Sequence, residues 1–141
     1  MTAARLFSPH EATQTLPLVK RIVDDILQRG QELRRLHESA PDSRNALTAL
    51  EESLQENLLE LEALGCSFRD WNFELGLVDF PSRIDGEIVL LCWRSDEPEL
   101  RFYHGLHDGY AGRKPIPESL LRAPGADESS GATLAISDQP G

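Results

Sequence analysis

This chain of 141 residues is short of the features that cross-linked, nucleic-acid-binding and membrane proteins depend on. It has two cysteines, Cys66 and Cys92, too few to staple a secreted fold, so a reducing cytoplasmic compartment is expected. Basic residues are scarce. Lys and Arg number 14 against 24 Asp and Glu, giving a formal net charge of −10 and a pI near 4.8. Such a surface repels phosphate backbones and anionic lipid, which argues against nucleic-acid and membrane partners. No apolar run approaches the ~18 residues of a spanning helix. No apolar run follows Met1–Arg5, so no signal peptide is expected. There is no Gly-x-Ser-x-Gly elbow, no His-Glu-x-x-His helix and no paired Cys-x-x-Cys.

What is present is patterned. Hydrophobic residues make up 40% and charged residues 27%, the composition of an ordinary soluble domain. Ser8, Pro9 and Glu11 form a helix start with a capping box. Leu16, Val19, Val23, Ile26, Leu33 and Leu36 then run as a seam along one helical face, with Gly30 in the slot between Ile26 and Leu33 and His37 on the same seam. Pro17 should kink this helix or split off its first turn. Pro41 breaks the pattern, Asp42 or Ser43 can cap the next helix, and Leu47, Leu50, Leu54, Leu58, Leu61 and Leu64 lead to Gly65. Helices over about 9–39 and 43–64 should fold back as an antiparallel hairpin.

The period then becomes strand-like. Strands are expected over about 66–71, 75–80, 87–93 and 99–104, with Asp85-Gly86 as a hairpin turn. The fold class is α+β: a long antiparallel helical hairpin on a small three- or four-stranded antiparallel meander. Residues 1–116 form the domain, and 117–141 read as an acidic, Pro/Gly/Ser-rich disordered tail in which Glu118–Arg122 can add one helical turn. A 30-residue helix spans roughly 45 Å and a six-residue strand about 20 Å, so the helices should overhang the sheet. The run Ile88–Cys92 is apolar on both faces. Both points favour a homodimer.

The chain carries, in order, Phe7, Ser8, Glu11, Ala12, Leu16 and Pro17; Gly76, Val78, Asp79, Phe80 and Pro81; Leu91, Cys92, Trp93, Arg94 and Glu97; and His104, Gly109, Gly112, Arg113 and Pro115. In these motifs it resembles the small bacterial and archaeal proteins known as domain of unknown function 2203. The resemblance covers about residues 7–116. It implies a shared fold and brings no activity, cofactor or catalytic residue.

Candidate chemistry gathers between Gly76 and Arg113. The Asp85-Gly86 turn sets a register that places Asp79 opposite Cys92, as metal ligands, as base and nucleophile, or as a packed thiol beside a hydrogen-bonded carboxylate. Arg94 and Glu97 flank the next turn, as an ion pair or as anion clamp and base. His104, His107 and Asp108, with Glu97, suit zinc or iron in chemical type. Arg113 ends a glycine-punctuated loop that can hold an anion or simply turn the chain. Two functions stay open: a homodimeric binding or accessory protein without catalytic activity, and a zinc- or iron-dependent or acid/base enzyme. Asp79, Cys92, Arg94, Glu97, His104 and Arg113 form the candidate cluster.

Overall fold

The structure, a computed structural model, describes residues 5–70 and 72–122. Its first helix, α1 (Pro9–Ser39), starts where the capping box requires. The Ser8 hydroxyl accepts from the Glu11 amide at 3.0 Å, and the Ser8 amide donates back to Glu11 Oε1 at 2.9 Å. The helix runs through Pro17 without dividing, because only one backbone donor is lost among many retained. The second helix, α2 (Arg44–Leu64), ends at Gly65, whose φ of 100° allows its amide to reach back to Leu61 and Glu62. Its start has no side-chain cap; backbone bonds through Ser43 and Arg44 make the turn instead.

Five strands form one antiparallel sheet in sequence order: β1 (Ser67–Phe68), β2 (Leu77–Ile84), β3 (Glu87–Arg94), β4 (Phe102–Gly105) and β5 (Lys114–Pro115). The chain is therefore α+β as expected, with one strand more. Asp85 and Gly86 both take positive φ, the geometry of a two-residue hairpin whose twist matches its strands. That turn fixes Ile84 opposite Glu87 and Asp79 opposite Cys92.

The strand bounds differ from the sequence pattern for local reasons. β1 stops early because the Asp70 carboxylate gathers the amides of Asn72, Glu74 and Leu75 into a loop. β2 continues past Pro81. The Pro81 carbonyl points to the sheet edge, where it accepts from the Phe7 amide at 2.7 Å, so its missing donor is not wanted by β3. β4 begins late because buried Leu100 turns into the core. β5 is two residues of Lys and Pro and carries no hydrophobic alternation.

The inner face of the sheet presents Val78, Phe80, Val89, Leu91 and Trp93 to the helices, in one core with Leu16, Val19, Val23, Ile26, Leu54 and Leu61. Two glycines permit the close approach. A Cβ on Gly76 would sit 2.4 Å from Val23, and one on Gly30 would sit 2.3 Å from the Phe73 ring. Phe7 packs edge-on against Phe80, and its carbonyl accepts from the buried Ser82 hydroxyl at 2.6 Å.

Beyond the sheet the helices close largely on one another. Leu47 is buried, and Leu33, Leu36 and Leu50 are half-buried. Buried Asn57 accepts from Arg29 across the hairpin. The overhang thus leaves less apolar surface than its length suggests, and His37 is exposed rather than packed in the seam. A last turn, α3 (Glu118–Leu121), contacts α1, with His10 Nδ1 3.1 Å from the Leu121 carbonyl. The sequence expectation of a disordered tail falls mainly on residues 123–141, outside the described residues.

Candidate functional site

Strand alternation sends Asp79, Cys92 and His104 to the outer face, away from the helices. Asp79 and Cys92 are cross-strand partners on β2 and β3. His104 on β4 is opposite Leu90, one diagonal step from Cys92. All three are buried, at 5%, 2% and 5% exposure. One ligand atom from each lies within 4.8 Å of the other two, the one such group of His, Cys and acidic side chains among the described residues.

Each group is oriented by a neighbour. The Asp79 carboxylate accepts from Arg69 Nε at 3.1 Å through Oδ2, and its Oδ1 lies 3.4 Å from His104 Nε2. The Gly105 carbonyl is 2.8 Å from His104 Nδ1. A carbonyl only accepts, so Nδ1 carries the ring proton and Nε2 is the atom turned towards Asp79. Burial pushes the Cys92 thiol up to about 12, and the Asp79 charge and a hydrogen bond to it push the same way. Cys66, under burial alone against the pull of Arg5, is also pushed up to about 12. Neither is a thiolate at neutral pH, and thiolate is the nucleophilic form.

The other candidates form a second group at the turn after β3. Glu97 accepts from the Arg94 amide at 2.9 Å and pairs with Arg113 Nη2 at 2.7 Å, with both side chains mostly buried. Arg113 also donates to the Cys92 carbonyl at 3.3 Å and lies 4.2 Å over the Phe102 ring. Arg94 makes a two-pronged contact with Asp96 at 2.6 and 2.8 Å, so the cross-turn ion pair runs to Asp96 and Glu97 goes to Arg113. The Arg94 guanidinium holds the exposed Asp96 carboxyl below its ordinary range.

The set Glu97, His104, His107 and Asp108 is not brought together. His107 is exposed on its loop. The Asp108 carboxylate accepts from the Gly105 amide at 3.2 Å. A Cβ on Gly105 or Gly112 would meet the Asp108 side chain at 2.6 or 2.7 Å, so these glycines serve a tight turn folded over Asp108. No sequence motif singles out Arg69. Its signal was position: two residues after Ser67 it shares the outer face, and Ser67 pairs with Asp79.

A buried carboxylate, thiol and imidazole meeting at one point can bind a cation. They are poorly suited as a nucleophile relay, because burial and the Asp79 charge push the Cys92 thiol up to about 12. No curated protein and no solved structure matches the chain significantly. One family model matches residues 5–116, and through it the chain belongs to the uncharacterized conserved proteins of DUF2203.

Proposed function

We propose that this is a small cytosolic binding or accessory protein without catalytic activity, and that it works as a homodimer paired through the outer face of its sheet. The observation that carries this reading is the outer face itself. Leu77, Pro81, Leu90 and Phe102 stay half-exposed there, and Ile88 is 38% exposed. The helices take the inner face, so this apolar strip lacks a cover from them. Its charge also suits a second copy. Exposed Glu51, Glu52, Glu56, Glu60 and Glu62 lie along α2, whereas the outer face carries Arg83 and pairs Asp79 with Arg69 and Arg94 with Asp96. Two acidic chains therefore meet there with little repulsion.

Other observations support a non-catalytic role. The thiols are held protonated, and Glu97, Arg113, Arg94 and Asp96 are engaged with one another. Two surface concavities of about 330 and 360 Å³ are lined by neither histidine nor cysteine. Two free buried cysteines suit a reducing cytoplasm. Among the described residues no helix is long and apolar enough to cross a membrane, and the acidity of the chain speaks against nucleic acid. Sedimentation equilibrium over a dilution series tests the dimer. It is expected to give twice the 15.7 kDa chain mass at micromolar concentration. A single species of chain mass up to about 100 micromolar removes the reading.

A second reading, a zinc- or iron-dependent or acid/base enzyme, has the convergence of Asp79, Cys92 and His104 in its favour. The raised Cys92 thiol weighs against its acid/base form.

A further inference from the structure

We propose that Asp79, Cys92 and His104 are three ligands of a single divalent transition metal ion of the zinc class, held on the outer face of the sheet. The site lies on the face through which copies are proposed to pair, yet it does not rest on that pairing, because its three side chains are buried within one chain.

Three observations converge. The first is chemical type: one carboxylate, one thiol and one imidazole are the donors that zinc and ferrous ions share. The second is spacing. Ligands at about 2.0–2.3 Å from a tetrahedral ion lie roughly 3.3–3.8 Å apart. Asp79 Oδ1 and His104 Nε2 are already 3.4 Å apart, and the three ligand atoms span no more than 4.8 Å. Small side-chain rotations close the remainder, since all three project from adjacent strands of one rigid sheet.

The third observation is the outer ring of partners. With Nδ1 held by the Gly105 carbonyl, Nε2 is the ring atom left to face Asp79 Oδ1, 3.4 Å away. A metal ion placed between these two atoms would engage both at once. A backbone carbonyl on the distal nitrogen is the usual support of a metal-bound histidine. Arg69 supports the carboxylate in the same way, bonding Oδ2 and leaving Oδ1 to the ion. Charge balances: a dication, one carboxylate and one thiolate sum to zero, and Arg69 is then the remaining positive group beside Asp79. On binding, the S–H bond of Cys92 breaks, its proton goes to solvent, and the sulfur electron pair goes to the metal. The aqua ion sheds water, and nothing is oxidised or reduced. Three protein donors leave the fourth tetrahedral position to water or another small donor.

Titration of the reduced, full-length protein with cobalt(II) chloride tests the site. The expected result is one cobalt per chain, visible bands of a tetrahedral ion, and a near-ultraviolet thiolate-to-cobalt band that zinc chloride abolishes by displacement. Cys92→Ser should remove the thiolate band, Cys66→Ser should keep it, and His104→Gln should weaken binding at least tenfold. No thiolate band in the wild type overturns the proposal, as does a band that survives Cys92→Ser or vanishes in Cys66→Ser. Should a variant lose its fold by circular dichroism, nuclear magnetic resonance of the wild type decides. Zinc must then shift the His104 ring protons and leave those of exposed His107 in place; unmoved His104 signals overturn the site.

Discussion

The two faces of the sheet use the same strands for different ends. On the inner face Val78, Phe80, Leu91 and Trp93 are each at most 2% exposed and share one core with both helices. On the outer face the adjacent positions alternate between half-exposed apolar side chains and three buried polar ones, Asp79, Cys92 and His104. One face stabilises the fold. The other carries the one buried carboxylate–thiol–imidazole group among the described residues, on strands the helices hold from the inner side.

That contrast makes unequal predictions for equal truncations. Phe80→Ala, on the sealed face, is expected to cost about 3–5 kcal/mol in urea denaturation, combining lost transfer energy with a cavity. Leu90→Ala, on the open face of the neighbouring strand, should cost about 1 kcal/mol, because the site is half-wet and can relax. Equal losses would mean that both faces are sealed alike.

A smaller contrast separates the two ion pairs of the turn after β3. Glu97 and Arg113 have side chains 17% and 11% exposed, so Glu97→Ala strands a largely buried guanidinium and should cost about 3 kcal/mol. Asp96 and Arg94 are far more exposed, and Asp96→Ala should cost less than about 1 kcal/mol. Thermal melts of the two variants compare them directly. A larger loss for Asp96→Ala would reverse the assignment of which pair holds the turn.

Much of this architecture could be read from local chemistry. The capping box at Ser8 and Glu11, the leucine seams, Gly65 and the Asp85-Gly86 turn each act within a few residues, and each formed as the pattern required. The turn alone carried the reading as far as the pairing of Asp79 with Cys92. It carried it no farther, because the β3–β4 link is long and irregular. With Leu100 buried and β4 delayed to Phe102, the placement of His104 depends on tertiary packing. Without that register the sequence groups His104 with His107 and Asp108, whereas the chain leaves His107 exposed and folds the Asp108 carboxylate back onto the Gly105 amide. Arg69, with its exposed side chain, became meaningful only once β1 lay beside β2. Strand β5 was invisible because Lys114 and Pro115 bury nothing.

The outer face of the sheet, rather than the helical overhang, is proposed as the working surface. Light scattering on two charge insertions tests it most directly. Ile88→Asp places a carboxylate on the outer face, and Leu50→Asp places one at the far end of the hairpin. The expected result is a wild type of twice the 15.7 kDa chain mass, chain mass for Ile88→Asp, and an unchanged dimer for Leu50→Asp. A dimer that survives Ile88→Asp and falls apart with Leu50→Asp would place the contact on the helices instead.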